Sequence, residues 1–364
     1  MKHIIDCTFE NDAHEVVSNP DFSALDALYE GRTARYGDYH AHSNSGGTSD
    51  GTTLLTDWLK AKHTLKLDFV GLMDHRQVRH QYLPEFRDDF FLYGTEPGGK
   101  WTTDPPLYCH YLMIFQEREA LERVLNKFPD EFKFTGGVEG HFLYLPMARE
   151  KFLEIKDAVL AEGGAFVNAH PKQQIKTDDI NYFYFGEGTA IEIIYTDSYA
   201  DQLNPHTQDN YKLWLDMLNA DMRVYNTATA DAHYQPKNSG ANTVYVKEPV
   251  CREYVQRLRA GDLNSGYVGV KMSLDSHPTG AVVPWQEGLT LQVKIEDAHE
   301  LMYDPEKKYR VDIHTDKGIA YSAPLTMPFA VALKAQKRRF YRVEVLREED
   351  GGPAAIGNPI FITE

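Results

Sequence analysis

In YGDYHAHSNSGGTSD (36–50), His40 and His42 stand one residue apart, and Asp50 follows a run of Gly, Ser and Thr. LDFVGLM is followed at once by Asp74 and His75, FFLYGT by Glu96, GAFVNA by His170, and YNTATA by Asp231 and His233. His110 differs: it stands at the start of its apolar run, YLMIF. Imidazole and carboxylate at this density suit a divalent first-row metal such as Zn, Mn or Fe. Cys7, Cys109 and Cys251 are too scattered for a thiolate zinc site. One ion takes about three or four protein ligands. The set His40, His42, Asp50, His75, Glu96, His110, His170, Asp231 and His233 is therefore too large for one ion and calls for two or three.

Taken singly, each of these side chains has a plain explanation as a hydrogen-bonded or solvated group. Their order along the chain is the informative part, and it depends on the elements that carry them. Two histidines one residue apart on an extended strand point to opposite faces, so both reach one ligand only where the strand ends. LDFVGLMDH (67–75), CHYLMIF (109–115), GAFVNAH (164–170), TAIEIIYT (189–196) and RVYNTATADAH (223–233) read as buried parallel strands. Between them, residues 52–66, 117–128, 147–163 and 210–221 have helical spacing. Such alternation predicts an α/β domain, either an open sheet or a closed barrel. In a barrel the carboxyl ends of the strands open onto one face, which would gather the separated ligands.

After a last helical stretch at 251–263 the texture changes. GLTLQVKIEDA (288–298), residues 308–323 and 338–352, and NPIFITE (358–364) alternate apolar and polar residues between turn signals, which predicts a small antiparallel β-sandwich. LYGTEPGGKWTTDPPLYCH (92–110) is Gly/Pro-rich and reads as a loop over the site. The net charge of -16, with Lys and Arg scattered, argues against a general affinity for nucleic acid or an anionic membrane face. Three separated cysteines without a CxxC fit a reducing, cytoplasmic setting, and neither an export leader nor a membrane span is expected.

The series HxH, SDG, DH, GxE, a following His, HP and DxH resembles the strand-end signature of the PHP (polymerase and histidinol phosphatase) superfamily of metal-dependent hydrolases. It corresponds here to His40/His42, Asp50, His75, Glu96, His110, His170 and Asp231/His233, over about residues 34 to 247. The resemblance implies a distorted (β/α)7 barrel, in a domain spanning 1–270, with the all-β sandwich-like domain at 271–364. It also implies a two- or three-metal centre. His40, His42, Glu96 and Asp231 would hold one ion, Glu96, His110 and His170 a second, and Asp50, His75 and His233 a third, with Glu96 bridging the first two. The segment SNSGGTS between His42 and Asp50 is longer than the family's usual spacing. The β-rich tail with its terminal NPIFITE resembles the subgroup named for carbaryl esterase and a related carbamate hydrolase (CehA/McbA-like).

Around these ligands, Glu192 in AIEIIYT, Asp38 and Asp74 are expected to support ligands from behind, each of the two aspartates orienting an adjacent histidine. Glu139 and His141 in GGVEGHF read as a loop pair or core contact. Paired metals activate water near neutral pH and stabilise attacking and leaving oxygens, which points to hydrolysis. Arg76, Arg79, His80 and Lys172 lie next to ligands in sequence and would rim the metals as substrate-binding groups. Arg76 and His233 are the candidate catalytic residues. Cations beside the metals in an acidic chain favour a small anionic substrate, with a phosphoester first. The plain alternative for Arg76 is a salt bridge to Asp74 or Glu85. Two other functions stand beside the phosphoesterase. One is hydrolysis of a carboxyl ester or carbamate, with Tyr93, Trp101 and Tyr108 forming an apolar pocket. The other is a non-catalytic module that binds metal, sugar or protein.

Overall fold

The computed structural model describes residues 2–132, 146–196 and 202–364. Its apolar runs form the strands Phe69–Leu72, Ala165–Ala169, Ala190–Tyr195 and Tyr225–Thr229, and Thr33–Ala41 precedes them. The first two of these are buried along their whole length, which is why they lack a polar alternation. The helices are Leu55–Thr64, Arg118–Lys127, Arg149–Ala161, Pro205–Asn219 and Cys251–Ala260. Helix Pro205–Asn219 begins earlier than the spacing predicts. The side chain of Asn204 caps the Thr207 N–H, and Pro205 occupies the first turn, where its missing donor costs nothing. Helix Cys251–Ala260 stops at Gly261, whose φ of 65° is the left-handed conformation that ends helices.

These strands make a mixed, parallel-rich sheet. Thr33–Ala41, Phe69–Leu72 and Phe91–Thr95 pair in parallel, as do Ala165–Ala169, Ala190–Tyr195 and Tyr225–Thr229. Strand Leu107–Phe115 joins the two sets and runs antiparallel to both neighbours, Phe91–Thr95 and Ala165–Ala169, which corrects the expectation that it is parallel. Past the last strand, Ala232 bridges Ala41 in parallel and its carbonyl accepts the His42 N–H at 3.0 Å. The stretch 92–110 is not a plain loop. Gly99–Trp101 pairs with Leu107–Cys109 as a hairpin and, in parallel, with Pro146–Met147.

On its other side, Thr33–Ala41 pairs with Asn242–Val246, which pairs with Leu263–Gly266, which in turn pairs with Pro353–Gly357. The ladder therefore continues without a break into the C-terminal region, where the described elements after Ala260 are all strands. Val268–Leu274, Thr290–Ala298 and Phe329–Lys334 form a second sheet. Its Leu291 and Val293 share a core with Val311 and Ile313 of Tyr309–Thr315 and with Val343 and Val345 of Phe340–Arg347. Side chains from two facing layers thus exclude water together. The N-terminal segment lies on this region, with Asn11 bridged to Ile319 and Val16 to Leu333. Among the described residues no helix is long and apolar enough to cross a membrane.

Candidate metal centre

The first strand ends at Ala41, and its pairing with Phe69–Leu72 shifts register between Asp38 and Ala41. That irregularity breaks the alternation which would send His40 and His42 to opposite faces. Their Nε2 atoms lie 3.1 Å apart. Asp38 pins the bend from below: one oxygen accepts the His40 N–H at 2.9 Å and the other the Ala230 N–H at 2.8 Å. It thus ties two strand ends together through backbone, and does not orient an imidazole as expected.

Two carboxylates close the group. Glu96 Oε2 is 3.3 Å from His40 Nε2 and 3.4 Å from His42 Nε2. Asp231 Oδ1 is 3.3 Å and 2.9 Å from the same two nitrogens. Four donors at metal–ligand distances of 2.0–2.1 Å in a tetrahedron stand roughly 3.3 Å from one another. His40 Nε2 and His42 Nε2 match that figure with each other and with each of the two carboxylate oxygens. Asp231 Oδ1, Glu96 Oε1 and His110 Nδ1 face neighbouring donors and acceptors at short range yet are buried without a well-directed hydrogen bond, so hydrogen bonding alone does not account for the crowding. The residues therefore fit a metal ion.

From Glu96 the cluster extends two ways. Its Oε1 lies 2.7 Å from His110 Nδ1 and 3.3 Å from His170 Nε2. Its Oε2 also lies 2.9 Å from His75 Nδ1. Beyond His75, Asp50 stands 3.6 Å from His75 Nε2 and 3.3 Å from His233 Nε2, with His42 Nδ1 3.9 Å away. His110 reaches this end of the sheet because its strand runs backwards: the start of a reversed strand lies beside the ends of its neighbours. Asp50 is placed by Gly51, where a Cβ would come within 2.6 Å of the Ser43 nitrogen and 2.7 Å of the His42 carbonyl carbon.

Burial raises the Glu96 and Asp231 carboxyls, but surrounding imidazoles outweigh it. His110, His75 and His40 hold Glu96 well below the carboxylate range, and His40 and His42 do so for Asp231. Burial lowers His75, yet the Glu96 and Asp50 carboxylates push it up to about 9. His170, Asp231 and Arg76 also have positive φ, at 27°, 45° and 54°. Such backbone strain costs of order 1–3 kcal/mol at each residue and concentrates at functional sites.

The supports lie behind these donors. Glu192 Oε1 is 2.9 Å from His40 Nδ1 and its Oε2 accepts the His170 N–H at 2.7 Å, so one carboxylate fixes two of the donors. Asp74 does not orient His75. It accepts from Ser43 N–H and Oγ, both at 2.7 Å, and from Ser45 Oγ, and faces His80 Nδ1 at 3.1 Å. This knot holds the long loop before Asp50. The Trp58 indole N–H donates to the His42 carbonyl at 3.2 Å.

The expected cations fall in different places. Arg76 lines a cavity of about 160 Å³ together with His75, Pro97, Gly98 and His110. Arg79 lies against Gly46 and Gly47 of the long loop. His80 is fully buried on Asp74, and the Lys172 ammonium sits 5.0 Å over the Phe183 ring, so neither rims the centre. Trp101 is fully buried among Phe152, Tyr182 and Phe185, away from any pocket it would share with the exposed Tyr108. Glu139 and His141 lie outside the described residues.

The cleft holds groups that no sequence pattern singled out. A cavity of about 470 Å³ beside Asp231 and His233 is lined by Tyr195, Asn204, His206, Tyr234 and Lys237. The Tyr195 hydroxyl donates to Asp231 Oδ2 at 3.1 Å. The Asn-Pro pair at 204–205 was the legible signal for that helix start, whereas Lys237 carries none.

No protein-family model matches the chain, and no curated protein does. Among solved structures it is similar to a two-domain protein containing a predicted PHP-like metal-dependent phosphoesterase from Bacteroides vulgatus, with 13% identity over 98% of this chain and 100% of that one, at a TM-score of 0.41. An amidohydrolase from Chromobacterium violaceum shares 15% identity over 62% of this chain and 96% of its own, at 0.37. The lesion-specific endonuclease PfuEndoQ from Pyrococcus furiosus shares 15% over 62% of this chain and 56% of its own, at 0.44.

Proposed function

We propose that the chain is a metal-dependent hydrolase of PHP type, and that its substrate is a small phosphoester. The observation that carries the first part is that His40 Nε2 and His42 Nε2 lie 2.9–3.4 Å from each other and from both Glu96 Oε2 and Asp231 Oδ1. His40, His42, Glu96 and Asp231 would hold one divalent ion, Glu96, His110 and His170 a second, and Asp50, His75 and His233 a third. When bound, such ions lower the pKa of water and polarise the bond to be cleaved.

The protein's own groups do the rest. Glu192 keeps the His40 Nε2 face turned to the centre. Tyr195 holds the second oxygen of Asp231 by its hydroxyl, which keeps Oδ1 turned to the histidines. Arg76 lines the cavity at His75 and His110, and Lys237 the cavity at Asp231 and His233. Positive groups at both cavities, in a chain of net charge -16, support a phosphoryl group over a neutral ester. Tyr195 and Tyr234 on the larger cavity support the second reading, a carboxyl ester or carbamate, since they could cover an apolar leaving group.

The deciding experiment is a panel of phosphomonoester, phosphodiester, carboxyl ester and carbamate substrates, run with protein reconstituted separately with Zn, Mn and Fe. Turnover of p-nitrophenyl phosphate above that of p-nitrophenyl acetate is expected. The reverse order would transfer the assignment to ester hydrolysis, and no turnover with any metal would sink both.

A further inference from the structure

A second constellation of metal-ligating atoms lies far from this centre in the sequence. Glu344 on Phe340–Arg347 and His314 on Tyr309–Thr315 are neighbours across an antiparallel pair, and His3 reaches them from the N-terminal segment. Glu344 Oε2 is 2.7 Å from His3 Nε2 and 3.2 Å from His314 Nε2. All three donor atoms lie within 4.8 Å of one another.

The two carboxylate oxygens are used differently. Oε1 is taken by the Arg342 guanidinium and the Tyr211 hydroxyl, both of which donate to it. Oε2 faces only the two imidazoles among the described contacts. His314 is 1% exposed; its Nε2 faces Glu344 Oε2 at 3.2 Å without good hydrogen-bond geometry, and its Nδ1 has no hydrogen-bond partner. Buried polar nitrogens are rarely left unmet, so a further partner is expected here. Phe9 closes the site edge-on, 4.9 Å from the His3 ring and 4.6 Å from His314.

We propose that His3, His314 and Glu344 form a second, structural metal site for a zinc-class ion, separate from the catalytic centre and independent of the hydrolase reading. Two imidazoles and one carboxylate are a borderline-soft donor set that suits Zn2+. Such an ion would clamp the N-terminal segment to the C-terminal strands.

The test is metal content. Zn-reconstituted wild type, His3→Ala and His314→Ala are desalted and their zinc counted per chain, with hydrolytic turnover and circular dichroism measured alongside. Both variants are expected to hold one ion fewer than wild type at unchanged kcat. An unchanged count in a folded His3→Ala overturns the proposal. If His314→Ala does not fold, His3→Ala, on the N-terminal segment, keeps the test decisive.

Discussion

The Glu192 carboxylate stands 2.9 Å behind the His40 ring, at Nδ1, on the side opposite to the donors that His40 faces. It fixes the tautomer and tilt of the imidazole without belonging to the cluster in front. Partners of this kind typically account for 10–100-fold in metal affinity. Glu192→Gln keeps the shape and one hydrogen bond but loses the charge. It is expected to weaken the tightest ion by about tenfold in chelator competition while leaving the fold intact. Unchanged affinity would make Glu192 a packing residue only.

Asp50 decides between two ions and three. Its side chain is 58% exposed, so little besides His75 and His233 fixes it. Asp50→Asn is expected to lose one ion per chain and to keep those at Glu96. Elemental analysis checks this, and three ions retained at wild-type affinity would remove Asp50 from the ligand set.

Lys237 tests the charge of the substrate. In Lys237→Ala, KM for a phosphoester is expected to rise about tenfold with kcat nearly unchanged, and KM for a neutral ester to stay put. Parallel steady-state kinetics on p-nitrophenyl phosphate and p-nitrophenyl acetate make the comparison. Equal changes on both substrates would show that Lys237 does not read charge.

The N-terminal segment carries a pH-dependent tether. Burial raises the Asp12 carboxyl, but hydrogen bonds from Arg338, with Nε at 2.7 Å, and from Thr315 at 2.6 Å bring it down to about 2. A depressed carboxylate contributes stability above its unfolded value near 4, and loses it as pH falls towards 2. Asp12→Asn is expected to cost about 1 kcal/mol at pH 7, after discounting for solvent. The difference from wild type should narrow between roughly pH 4 and pH 2. Urea unfolding of both proteins at pH 7 and pH 3 reads it out; a constant gap would show that the pair does not titrate as described.

That these imidazoles and carboxylates would cluster was legible because such side chains are chemically distinctive and stand where apolar runs stop. His110 was the exception that carried information: a ligand at the start of a run signals a reversed strand, and Leu107–Phe115 is reversed. What surrounds the centre was much less legible. Arg79, His80 and Lys172 are neighbours of ligands in sequence, yet side-chain direction sends His80 into the protein and Lys172 onto Phe183. Lys237 reaches the cleft only through the tertiary fold, which local pattern does not encode. Strand Phe329–Lys334 was hidden for another reason. Ala330 and Ala332 put no polar side chain opposite Phe329, Val331 and Leu333, so the period-two contrast is blunted.

The unbroken ladder from Asn242–Val246 through Leu263–Gly266 to Pro353–Gly357 has a consequence for how the chain stays in solution. Without the last of these strands, Leu263–Gly266 would present an open row of backbone donors and acceptors, the template on which identical chains add to one another. The C-terminal region is therefore expected to keep that edge covered. A chain ending after residue 262 would leave Asn242–Val246 as that raw edge, and light scattering should record its aggregation even if every metal ligand remained in place.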